Sequence, residues 1–159
     1  MPKKRNTALR VPTGAEYEAF DGAHCRNLYR ALDPIWECPG CGRSRFQILR
    51  WTMLFPKLAS RHEGWAAGLH RHHDHADDAF RHGRSGTRAP IRFAAAVICE
   101  QCNSADGTAK RKLGLPAEFS FSPAEIRQFV RATPHGFHEI DYDAALAIFK
   151  GDAGPMASD

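Results

Sequence analysis

Apolar positions along this chain fall in short blocks whose spacing switches between helical and strand-like. Tyr17, Phe20, Leu28, Ala31 and Leu32 approximate a helical stripe, predicting a helix from Ala15 to Leu32 that is weakened at Gly22 and ended by Asp33-Pro34. Ile35-Trp36-Glu37 lead into a cysteine pair, after which Phe46, Ile48 and Trp51 alternate with polar neighbours as a hairpin strand would. Residues 52–64 carry no clear period. A strand is expected over Trp65–Asp74, a polar Arg- and Gly-rich loop to residue 90, and a short buried strand over Phe93–Ile98. A helix starting near Gln101–Ser104 should run through Lys110-Arg111-Lys112 and stop before Gly114 and Pro116. Ser122-Pro123-Ala124-Glu125 reads as a capping box opening a helix with Ile126, Phe129 and Val130 inward. Asp141 caps a last helix that packs Ala145, Leu146, Ile148 and Phe149 and ends at Gly151.

Mixed elements of this kind imply an α+β fold. At 159 residues the chain can bury roughly two-thirds of its unfolded surface, so one domain is expected, over residues 13–150. The basic residues 1–12 and the small polar residues 151–159 are expected to be disordered. No apolar run reaches membrane-spanning length and the start lacks a signal peptide, so an intracellular, cytoplasmic protein with no membrane partner is expected. A net charge of +4 admits an anionic partner without establishing one.

Cysteine and histidine placement changes the picture more. Four of the five cysteines form two pairs of the same spacing, Cys38-Pro-Gly-Cys41 and Cys99-Glu-Gln-Cys102. A two-residue gap lets both sulfurs of a pair reach one ion, and two such knuckles complete a tetrahedron around structural Zn²⁺. Disulfides are disfavoured without an export signal, and a redox dithiol needs only one pair. The 57 residues between the pairs exceed the interval of a simple zinc ribbon, so the metal would staple a long excursion. Cys25 reads as an inert bystander. Trp36, Trp51 and Trp65 are expected to pack around the zinc hairpin rather than to stack on bases.

Six of the nine histidines lie between His62 and His82, most densely in Leu69-His70-Arg71-His72-His73-Asp74-His75. This segment precedes Val97-Ile98-Cys99-Glu100-Gln101-Cys102-Asn103, and together they resemble the HNH, or ββα-metal, endonucleases, in their zinc-stapled four-cysteine branch. The resemblance covers about residues 36–112 and leaves a helical extension, 113–150, unexplained. It implies a nuclease core in which a histidine deprotonates water and one Mg²⁺ or Mn²⁺ ion stabilises the scissile phosphate and the departing 3′-oxygen. His73 is the preferred base and His75 the alternative, because His72-His73 and Asp74-His75 both fit a ligand followed by a base. His72, Asp74 and Asn103 are candidate ligands of the catalytic ion. Strand alternation puts His72 and Asp74 on one face, His73 and His75 on the other. The loop 76–92 is long for the family, so its middle asparagine has no obvious counterpart; His82 could take that role but reads better as a solvated loop histidine.

Arg84, Arg88 and Arg92, with Arg81 nearby, and Lys110, Arg111 and Lys112 after the metal-site helix, are candidate phosphate contacts. Arg43, Arg45 and Arg50 are candidates for a second patch. The expected partner is DNA, double-stranded or branched, and clean double-strand breaks would call for a homodimer. The competing expectation is a non-catalytic zinc-knuckle module that binds nucleic acid or a protein partner.

Overall fold

The computed structural model describes residues 9–152, so most of both expected disordered ends lies outside the described residues. Residues 9–12 depart from that expectation: Arg10 lies 3.5 Å over the Trp51 ring and Pro12 is buried. Among the described residues the fold is a small mixed α and β arrangement in which each of three antiparallel sheets has two strands.

The first helical block is two helices, α1 (Gly14–Ala19) and α2 (Arg26–Ala31). Thr13 and Glu16 form a reciprocal capping box that starts α1. The predicted continuous helix is interrupted where Gly22 and His24 take positive φ, 83° and 69°. A Cβ at Gly22 would sit 2.6 Å from Tyr29 Cβ, so glycine is needed for both conformation and approach.

The first cysteine pair lies in a tight knuckle. The Cys38 amide donates to the Arg43 carbonyl at 2.8 Å, and the Gly42 amide returns to the Cys38 carbonyl at 2.7 Å. The strand expected from Phe46 onward is instead a turn, with Ile48 N–H on Ser44 O, and Ser44 and Gln47 exchanging side-chain-to-amide bonds. The local polar side chains close the backbone before a ladder can form. Strand β1 (Arg50–Leu54) follows and pairs with β2 (His62–Ala66), Arg50 opposite Ala66 and Leu54 opposite His62. Trp51 and Trp65 meet edge-to-face across this ladder at 5.3 Å.

The strand expected over 65–74 is likewise divided, because its halves belong to different sheets. Strand β3 (Leu69–His72) pairs with β4 (Ala96–Cys99), Leu69 opposite Cys99 and His72 opposite Ala96. Gly68 makes the break: its carbonyl accepts the Glu100 amide at 2.8 Å, and a Cβ there would lie 2.5 Å from Glu100 Oε2. The expected polar loop contains a 3-10 turn (His75–Asp77) and helix α3 (Asp78–Arg81). Strand β4 runs directly into α4 (Glu100–Leu113), which Gly114 ends in the left-handed conformation.

Helix α5 (Pro123–Phe129) begins with the anticipated Ser122–Glu125 capping box. Strands β5 (Val130–Arg131) and β6 (Glu139–Ile140) form a small ladder, and α6 (Tyr142–Asp152) begins at the Asp141 cap and continues through Gly151. Helix α4 packs on β3, β4, α5 and α6. Their shared core holds Leu49, Ile98, Ile126 and a chain of edge-to-face rings through Phe149, Phe119, Phe121 and Phe129. Phe121, in the link between α4 and α5, is fully buried, and its backbone determines how the histidine segment is used.

Candidate metal centre and histidine cluster

The turn 38–43 and the junction of β4 with α4 bring the four paired cysteines together. Their sulfurs lie within 4.8 Å of one another, with Cys38–Cys102 and Cys41–Cys99 separations of 3.8 Å. A Zn–S bond of about 2.3 Å gives a tetrahedral edge of about 3.8 Å, so the spacing suits a closed four-sulfur site. Cys38, Cys99 and Cys102 are fully buried. Hydrogen bonds from Cys102 and then Cys38 hold the Cys41 and Cys99 thiols below their ordinary values, Cys41 at about 5. Bonds with Cys38 and Cys41 push the Cys102 thiol up. The four cysteines could hold a structural metal such as zinc, and the unequal sharing of protons is what a cation would replace. Gly40 allows the approach, since a Cβ there would meet Cys102 Sγ at 2.8 Å.

Two further residues join this centre: Arg43, expected from the sequence to belong to a basic patch, and His138, which no motif singles out. Arg43, 3% exposed, donates from Nη2 to Cys99 Sγ at 3.2 Å, so it is a buried neighbour of the cysteines and not part of a surface patch. His138, between β5 and β6, places Nε2 3.3 Å from Cys102 Sγ. The other members of the expected second patch are also packed, with Arg45 over the Tyr29 ring and Arg50 over Phe137. Cys25 stands apart and directs its thiol toward the Leu69 carbonyl at 3.9 Å.

At the far end of β3 the histidine segment divides by face. His72 is 2% exposed, stacked on Phe93, with Nε2 2.7 Å from the Phe121 carbonyl. Asp74, also buried, accepts from the Ala76 amide at 3.0 Å and the Arg92 amide at 2.8 Å, one on each carboxylate oxygen. Both candidate ligands are thus engaged in holding chain segments. His73 and His75 lie outward, ring centroids 4.6 Å apart. Asp78, which the motif did not single out, joins them: donor atoms of His73, His75 and Asp78 lie within 4.8 Å of one another, and His73 Nε2 is 3.3 Å from Asp78 Oδ1. His75 is tied through Nδ1 to Ser120 Oγ at 3.0 Å. Burial, then the Lys110 and His73 charges, hold the pKa of His75 below its ordinary value, so its imidazole is neutral at pH 7.

His75, Asp78, Arg84 and Glu118 line an open cleft of about 530 Å³. Asn103, in the first turn of α4, is half-buried, and its side chain makes no hydrogen bond among the described residues. The basic residues have diverse surroundings. Arg92 binds the Ser120 carbonyl and Glu125, each at 2.6 Å, and Lys110 binds the Phe119 carbonyl and buried Asp106. Arg111 reaches Thr108, Lys112 lies over Tyr142 and Arg88 over Phe80. Of the candidate phosphate contacts, Arg84 is the one that lines the cleft beside the histidines.

No family model, curated protein or solved structure matches the chain. The resemblance to HNH nucleases is therefore one of sequence motif alone. Among the described residues no helix is long and apolar enough to cross a membrane.

Proposed function

We propose that this protein is a metal-dependent endonuclease that hydrolyses phosphodiester bonds in double-stranded or branched DNA, on an HNH-like core stapled by zinc. The observation that carries the reading is the clustering of His73, His75 and Asp78, with His75 and Asp78 lining a cleft that also contains Arg84, at the opposite end of β3 from the cysteine cluster. His75, neutral through burial and oriented by Ser120, takes the proton from the attacking water. His73 and Asp78 are the residues that would hold the catalytic ion, whereas Asn103, next to Cys102 in the first turn of α4, lies at the cysteine end of the core. A bound Mg²⁺ or Mn²⁺ ion would supply charge stabilisation at the phosphate and at the departing 3′-oxygen. Arg84 neutralises a neighbouring phosphate. Attack at phosphorus breaks the P–O3′ bond and leaves a 5′-phosphate and a 3′-hydroxyl.

Relative to the motif, ligand duty passes from His72 and Asp74 to His73 and Asp78, and the base from His73 to His75. The test is nicking of plasmid, together with linear, nicked, branched and single-stranded substrates, in Mg²⁺ or Mn²⁺. Wild-type cleavage no faster than that of the His73→Ala/His75→Ala protein would overturn the reading.

One observation favours a non-catalytic zinc-knuckle module instead: His72, Asp74, Arg92 and Lys110 all spend their polar atoms on intramolecular bonds. DNA binding that persists without divalent ions, with no cleavage of any substrate, would select that alternative.

A further inference from the structure

The cysteine cluster is covered on one side by a segment more than thirty residues downstream of its last ligand. The link between β5 and β6 lies across the knuckle, held by bonds that converge on the sulfurs. Arg43 donates through Nη1 to the carbonyls of Thr133 and Gly136, at 3.1 and 3.2 Å, while its Nη2 reaches Cys99 Sγ. His135, buried and at φ 61°, bonds through its amide to Gln47 O and places Nδ1 2.9 Å from Leu49 O. His138 closes the segment, its Nε2 3.3 Å from Cys102 Sγ and 4.0 Å from Cys99 Sγ.

The tautomer of His138 follows from its surroundings. Nδ1 is buried and has no hydrogen-bond partner. A proton on Nδ1 would leave a buried donor unsatisfied and would turn an Nε2 lone pair toward sulfur. A proton on Nε2 leaves only an acceptor unpaired and directs an N–H at the cysteines. Sulfur accepts such a bond well as a metal-bound thiolate and poorly as a thiol.

We propose that the metal centre extends to His138 and Arg43, whose N–H groups bond to the metal-bound thiolates of Cys102 and Cys99, so that the 133–138 segment is latched to the core by the metal. This rests on the four cysteines holding a metal, and it makes His138 a positioning residue, not a fifth ligand. Four thiolates on one divalent ion carry a net negative charge in a buried site. The two donors reduce that charge, and through Arg43 the same interaction holds the segment's carbonyls. Neighbouring groups that orient ligands in this way typically change metal affinity 10- to 100-fold.

The experiment uses the full-length, zinc-loaded chain and measures zinc transfer to a chromogenic chelator. It also records the sulfur-to-cobalt charge-transfer bands of the Co²⁺-substituted protein and amide exchange of residues 133–138. His138→Ala should release zinc about 10-fold faster or more, shift the charge-transfer bands and raise exchange across the segment. His138→Gln, which can return an N–H to a similar place, should recover most of the wild-type release rate. Phe137→Ala, at an exposed neighbour on the same segment, should leave the bands unchanged. Unchanged release and unchanged bands in His138→Ala, even with a lower melting temperature, would show that the side chain only packs and would overturn the proposal. A wild-type chain that folds and binds neither zinc nor cobalt would overturn the metal reading beneath it, a separate and recognisable failure.

Discussion

His73 Nε2 lies 3.3 Å from Asp78 Oδ1, and Asp78 lines an open cleft together with His75. An imidazole nitrogen and a carboxylate oxygen at that distance share a proton or are bridged by a cation, so the pair suits a divalent ion. Because one donor is imidazole, Mn²⁺ should support cleavage better than Mg²⁺, which favours all-oxygen surroundings. His75→Ala should lower the rate at least 100-fold, as loss of a general base does, and Asp78→Asn should raise the Mn²⁺ concentration needed for half-maximal cleavage. Initial rates of plasmid nicking across a metal titration measure both.

The lowered pKa of His75 sets the direction of the pH dependence. Burial favours its neutral form in the folded protein, so the unfolded chain takes up the proton first as pH falls. Any stability contributed is fully present above the unfolded histidine value of about 6.5 and declines as pH drops below it. As a base, His75 stays competent into that same window. The acid limb of the cleavage profile should therefore lie below pH 6.5, and a limb centred above 7 would contradict the assignment.

His72 is expected to matter for stability and not for the catalytic ion. Removing its ring in His72→Ala strands the buried Phe121 carbonyl and opens space against Phe93. A loss of about 2 kcal/mol or more is expected. Chemical denaturation measures the loss, and Mn²⁺ titration of the folded fraction should give wild-type affinity.

Cys38→Ser should release the structural metal and unfold the core, since apparent zinc-folding energies in small domains are about 10 kcal/mol or more. Metal content of the purified protein and a thermal melt report the outcome together. An unaltered melt would remove the structural role of the cysteine cluster.

Arg84 and Arg92 should behave oppositely. Arg84→Ala removes a charge at the cleft, so it should weaken DNA binding and reduce the slope of log affinity against log salt by about 1. Arg92→Ala breaks bonds to the Ser120 carbonyl and Glu125 and should cost about 1–3 kcal/mol of stability. Its salt slope should match wild type. Filter binding across a salt series and a denaturant melt separate the two.

Much of this was legible in the chain. The Ser122–Glu125 box, the Gly114 stop, the Asp141 cap and the strand leading into α4 all follow from local rules, because each depends on groups within a few residues of one another. The same rules failed where distant segments competed. Gly68 divides an apolar stretch into two strands because Glu100 packs against it, and the Ser44–Gln47 turn replaces a strand whose alternation looked adequate.

By itself the sequence determined that two Cys-x-x-Cys pairs exist, that histidines cluster before the second pair, and that strand alternation separates His72 and Asp74 from His73 and His75. Only the tertiary structure decided which of those side chains are available for chemistry. The Phe121 carbonyl that engages His72 lies 49 residues away, the Ser120 hydroxyl that orients His75 lies 45 away, and His138 reaches Cys102 across 36. Spacing rules act within a turn or a strand. Which nitrogen is free depends on the packing of an aromatic core that brings remote backbone groups within hydrogen-bond range.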